Sequence, residues 1–337
     1  MSNRTAGRTP APPSGASTPE PPNEPNRRLS ATGEVAEVQS LSGHVVLAVG
    51  SGEPPEHVFR HLLSAYLSGA RSFEVVERPR ITPRTRQVVE EFCRRTRQPE
   101  IVRGQGSVLE VVDLDIGDPT AFGRRLAELG DRVAAFHEEA VASWARLPFG
   151  DDGQWERKDD EIDREAWYLE RALALGRAGS SSGAGTAAAW TVVRSLERSA
   201  DHAVTLGEVG PRLADLREEE GLLRELRQFH RHAMAHLREV LGSTDGRRSN
   251  ELLDVGEALI AGGQALAERL LPAVGDGSMT PASAAAVARA LEAIRRTVAY
   301  SQDIAQAFFD RGLRFGERRA AAPVPRSVPR VAVGAGS

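Results

Sequence analysis

Cysteine is almost missing from this chain. Cys93 stands alone among 337 residues, which excludes an internal disulfide and any zinc site built on cysteines. Lysine is nearly missing too. Lys158 is the single lysine among 43 basic residues, and arginine replaces it elsewhere, a pattern of GC-rich coding rather than of chemistry. Aromatic residues make up 5%, so the core must be filled by Ala, Leu and Val, which favours helices packed through small side chains. A net charge of -4 gives no bulk attraction to nucleic acid or to an anionic membrane. No apolar run approaches the roughly 20 residues that a membrane span requires, and the N-terminus lacks the apolar core of a signal peptide. The expectation is a cytoplasmic protein without direct membrane insertion.

What is present divides the chain into blocks. Residues 1–43 form a head expected to be disordered, because "MSNRTAGRTPAPPSGASTPEPPNEPN" is too rich in Pro, Ser, Thr and Gly to offset chain entropy by burial. A tail at 315–337 reads the same way. Between 44 and 116 the period alternates between strand and helix. "HVVLAVG", "SFEVVE", "PEIVRG" and "SVLEVVDLD" read as strands. "PEHVFRHLLSAYLSGA" is an amphipathic helix with Gly69 as its stop. "TPRTRQVVEEFCRRT" opens with Thr82 as N-cap and Pro83 at the first helical position.

Beyond Asp118, where an Asp-Pro pair signals a helix start, only helical periodicity remains. Six amphipathic segments fall into two successive groups of three, at 117–216 and 217–314, with lengths and loops suited to antiparallel three-helix bundles. The third segment should bend or end near Gly210-Pro211. The fold class expected is therefore mainly α: two tandem three-helix bundles preceded by a small α/β domain.

The first bundle carries an unusual charge pattern. On "SLERSADHAVTLGE", residues 195–208, Val193, Leu196, Ala200, Ala203 and Leu206 form an apolar stripe. Glu197, Asp201 and Glu208 lie along a different face. The preceding helix places Asp159 and Asp163 four residues apart, so two like-charged pairs stand on neighbouring helices. Antiparallel helices about 8–10 Å apart could bring four carboxylates to one place, and an all-oxygen donor set suits hard divalent cations. The competing reading is a solvated face whose acids pair with Arg194 and Arg198. Ferritin-like di-iron chemistry requires Glu three residues before His on two helices, and none of the eight histidines has it. The stretch "FHRHAMAHL" holds His230, His232 and His236; the last two are spaced for chelation, but the stretch reads better as a solvated face. Cys93 reads as a small core residue.

These residues carry a family likeness. "LERSADHAVTLGE" resembles the signature of PhoU domains, and "RKDDEIDREAWYLERALA" resembles the second helix of that domain. The two acidic motifs of the family fall on Asp159/Asp163 and Glu197/Asp201, with Glu208 and His202 as additional candidates. A fainter second copy, "IRRTVAYSQDIAQ", has Tyr300 and Asp303 in place, but Arg295 and Ala299 stand where acids would be. The segment "FRHLLSAYLSGARSFEVVE" is similar to one found in archaeal-type regulators that join an AbrB-like domain to PhoU bundles. Residues 28–42 keep some AbrB-like spacing, but the rest of that domain is missing, and four Arg against four Glu in residues 1–43 leave no basic footprint for DNA.

The resemblance implies a PhoU-like regulator of phosphate uptake and phosphate-responsive signalling. It implies an adaptor, not an enzyme, that binds a divalent metal (Mg, Mn, Fe or Zn) and contacts a phosphate ABC transporter ATPase or a sensor histidine kinase as a homodimer. An AbrB-type transcription regulator and a metal-free helical adaptor are the alternative readings.

Overall fold

Alternating burial organises the N-terminal third. The computed structural model describes residues 37–41, 43–114, 121–145, 153–177, 183–213, 220–243, 246–269, 272 and 279–316. Its first elements form a five-stranded sheet of order β1-β2-β3-β5-β4, from β1 (Glu37–Leu41), β2 (His44–Val49), β3 (Ser72–Glu77), β4 (Pro99–Gln105) and β5 (Val108–Asp113). β2 and β3 run parallel, joined through helix α1 (Pro55–Leu67), whereas β5 pairs antiparallel with both β3 and β4. Every second residue of β2 and β3 is buried, so one face of the sheet packs on α1 and on α2 (Pro83–Arg95) around Phe73, Val75, Leu109 and Phe92. The strand β1 corrects the sequence reading, which left residues 37–41 in the head. They pair with β2 across a tight turn in which Gly43 takes φ +88. The rest of the head, and the tail beyond Gly316, lie outside the described residues.

Both helix boundary signals hold. The Thr82 side chain accepts the backbone N–H of Thr85 at 3.2 Å, and Gly69 adopts φ +95 just past the end of α1. The Asp118-Pro119 start signal lies outside the described residues.

Six helices follow among the described residues: α3 (Phe122–Ser143), α4 (Gln154–Ala174), α5 (Gly183–Leu213), α6 (Glu220–Gly242), α7 (Gly246–Glu268) and α8 (Pro281–Gly316). α5 runs through Pro211 to Leu213, the last described residue of this stretch, just past Gly210-Pro211 where a bend or end was expected. A proline there disturbs only the last turn, where the cost is smallest. All five residues of its predicted apolar stripe are fully buried. Each helix of a trio packs on the other two, but the most extensive helix pairing in the molecule is between the trios, α5 with α8. The buried side chains of all six helices form one continuous core. The two expected bundles are thus not separate bodies. Ala200 and Ala203 of α5 and Ala290 and Ala293 of α8 are all buried in that common core.

α4 belongs to two cores at once. Ile162, Ala166, Leu169 and Leu173 enter the helical core, while Trp167 packs on the core of the α/β unit. Arg171, 2% exposed, forms an ion pair with Asp113, 3% exposed, at the end of β5. Its guanidinium also lies 4.4 Å from the Tyr66 ring centroid and donates to the Tyr66 carbonyl at 2.5 Å. This buried charge is therefore matched by an ion pair, a hydrogen bond and an aromatic face.

Candidate functional site

The seam between α4 and α5 holds the predicted acids. The two helices run antiparallel: Trp155 near the start of α4 packs on Gly207 near the end of α5, while Glu170 near the end of α4 meets Arg194 at 3.3 Å. A methyl group on Gly207 would stand 2.5 Å from the Trp155 ring, so this glycine sets how closely the helices approach. Midway along the seam, Asp159 and Asp163 of α4 face Glu197 and Asp201 of α5.

Their titration reports the convergence. Burial, and then the charges of Asp163, Asp201, Glu197 and Asp160, push the Asp159 carboxyl up to about 7. Burial, then Asp201, Asp163 and Glu170, push Glu197 up to about 7 against the pull of Arg198. Asp163 is raised to about 6 by burial and by Asp201, with Arg95 opposing. Asp201 is raised by burial, with Arg198 opposing. Burial is the largest cause for each of the four, and repulsion from neighbouring acids adds to it for Asp159, Asp163 and Glu197. Asp159 Oδ1 is buried without a hydrogen-bond partner.

The arginines expected to neutralise this face form no ion pair with Glu197 or Asp201 among the described residues, although the charge of Arg198 partly offsets both. Arg194 pairs with Glu170 and stacks on Trp190. The Arg198 guanidinium lies 5.9 Å from the Tyr300 ring centroid. Among the described residues, neither Glu197 nor Asp201 forms an ion pair. The cation that does reach the cluster comes from the α/β unit and was not anticipated: Arg95 of α2 meets Asp160 at 2.5 Å and Asp163 at 3.6 Å. Nothing in the local sequence around Arg95 signals this contact, because it depends on how the α/β unit docks on α4.

The two additional candidates lie apart from the four. Glu208 is exposed and pairs with Arg289 of α8 at 3.0 Å. His202 stacks on Tyr300 with ring centroids 5.7 Å apart, and its pKa is lowered by burial and by Arg296. Both turn towards α8. The solvated-face reading of "FHRHAMAHL" is corrected as well: His230 and His236 are buried, and His232 alone of the three is exposed. His230 stacks on the fully buried His137, whose Nε2–H donates to the Ser199 carbonyl oxygen at 2.7 Å. Burial lowers His137 to about 3 and His230 to about 4, so both are neutral core groups at neutral pH. The Cys93 thiol, half-buried, is pushed up to about 11 by burial and then by Glu100 and Glu90, which leaves it protonated and unreactive.

The carboxylates suit a hard cation in charge and donor type, and the unpartnered oxygen of Asp159 adds an acceptor. No three His, Cys, Asp or Glu side chains among the described residues form a ready-made metal site, so binding would require side-chain rotation. No described helix is long and apolar enough to cross a membrane. No protein-family model, curated protein or solved structure matches the chain.

Proposed function

We propose that the chain is a PhoU-like regulator of phosphate uptake that acts as a metal-binding adaptor. The observation that carries this reading is the α4/α5 seam. Two acidic pairs stand at the spacing of the PhoU signature, and Asp159, Asp163 and Glu197 are raised by burial and by neighbouring acids, while Arg198 offsets Glu197 and Asp201 only in part and forms no ion pair with either among the described residues. A divalent cation held by Asp159, Asp163, Glu197 and Asp201 would displace the shared protons and remove the repulsion. The partner in this reading is a phosphate ABC transporter ATPase or a sensor histidine kinase, met by a homodimer.

Elemental analysis of the purified protein beside an Asp163→Ala/Asp201→Ala variant tests the metal half. The expected result is about one equivalent of divalent metal per site in the wild type and loss of it in the variant; equal content in both removes the proposal. Binding to the transporter ATPase, with and without chelator, tests the adaptor half. The second reading, a metal-free helical adaptor, is favoured by the Arg95 contacts to Asp160 and Asp163, which already supply a positive charge. Partner binding unchanged by chelation would select it.

A further inference from the structure

The groove between α1 and α2 is a built cleft that the metal reading does not use. It is an open groove of about 520 Å³, a volume within the range of small-ligand pockets. Phe59 and Val88 supply its apolar surface, and Arg60, Arg84 and Arg95 supply three cations. Two glutamates also line it. Glu91 is held by Arg94 at 2.6 Å, which leaves Glu56 as the one acid not offset there. Arg60 and Arg84 are exposed and form no ion pair among the described residues. The aromatic wall is held in place: Phe59 packs edge-on to Phe92, with centroids 6.3 Å apart, and lies at the same distance from Trp167. The Arg95 guanidinium lies over both Phe59 and Trp167, at 5.5 and 5.4 Å from the ring centroids.

Such a lining selects by two features at once. A flat aromatic body can stack on Phe59, and an anionic head can take charge-assisted hydrogen bonds from arginine forks. A neutral aromatic would leave the cations unanswered, and a bare anion would leave the apolar wall wet. We propose that the α1/α2 cleft binds a small aromatic anion of the size and chemistry of a nucleoside monophosphate, with Arg60 and Arg84 on the anionic group and Phe59 on the ring. Arg95 joins this cleft to the carboxylate seam, because one guanidinium lines the first and pairs with Asp160 and Asp163 in the second. A ligand anion and these two aspartates therefore compete for the same cation. By linkage, weakening the hold of the aspartates must strengthen that of the ligand.

Calorimetric titration of the metal-free full chain with AMP tests the proposal, with adenosine and inorganic phosphate as separate probes. AMP should bind at one site per chain and more tightly than either fragment. Arg60→Ala/Arg84→Ala should weaken AMP about tenfold or more without lowering the melting temperature, since both side chains are exposed. Asp163→Asn should tighten AMP severalfold, and adding Arg95→Met should abolish that gain. Absence of AMP binding overturns the proposal, as does binding that the double arginine variant leaves unchanged. Because these titrations contain no metal, they stand or fall independently of the metal content of the protein.

Discussion

The α4/α5 and α7/α8 seams solve the same packing problem with different chemistry. In the α7/α8 seam, closeness comes from glycine. A methyl group at Gly263 would stand 2.8 Å from both Phe229 Cζ and Arg295 Cγ, and one at Gly256 would stand 2.6 Å from Gln302 Cγ. Polar groups there find partners across or along the seam: Gln302 donates to the Leu253 carbonyl at 3.2 Å, and Arg295 Nη1 meets Glu292 at 2.9 Å, although Arg295 Nε is buried without a partner. In the α4/α5 seam, glycine serves one end only, and the middle is lined by like charges that raise one another's pKa. Packing does not require that arrangement, since its counterpart closes without it. The difference teaches that a helix seam can close without the acids of the first trio, which makes them the positions to test for function.

The largest effect should come from breaking the tight seam. Gly263→Leu should cost about 1–3 kcal/mol by overpacking, measured by urea denaturation. Gly262→Leu is its control, because a methyl group there meets nothing within 4 Å and the substitution should cost nothing.

A smaller effect, of opposite sign, should come from relieving the charged seam. Asp159 and Glu197 titrate near 7 in the folded chain but near 4 when unfolded. The folded state therefore holds protons that the unfolded state has released, and stability falls as pH rises through this window. His137 and His230, lowered to about 3 and about 4, act the other way only below the ordinary histidine pKa of about 6.5. Between about pH 6.5 and 8.5 the carboxylates therefore dominate this comparison. Asp159→Asn/Glu197→Gln should flatten the fall in thermal stability across that range and stabilise the metal-free protein at its upper end, by on the order of 1 kcal/mol after solvent screening. An unchanged slope would mean that the acids do not share one environment.

The smallest effect should come from Arg289→Ala, which removes the exposed pair with Glu208. A change below about 1 kcal/mol, with metal content unaltered, would keep Glu208 outside the cluster.

The sequence was most legible where a local pattern decides the outcome. Short apolar runs placed the four strands from β2 to β5, Thr82 and Gly69 marked helix ends, and the 3–4 spacing of Leu196, Ala200 and Ala203 identified the buried side of α5. The acids of the seam could be read because i, i+4 spacing fixes their face and antiparallel neighbours bring two such faces together. Contacts between distant segments could not. Arg95 reaches Asp160 across 65 residues of chain, and no periodicity encodes that docking. His230 and His236 were misread because the core wraps further around α6 than one trio would require. Glu208 was misplaced for a related reason: α8, from the other trio, lies beside the end of α5.

The shared core of the two trios bears on how the molecule could be divided. α5 and α8 each complete the other's oily surface, so cutting the chain between α5 and α6 would not yield two independent modules. It would yield two sticky halves that must find each other again, and fragment complementation, rather than the folding of either half alone, is the behaviour this architecture dictates.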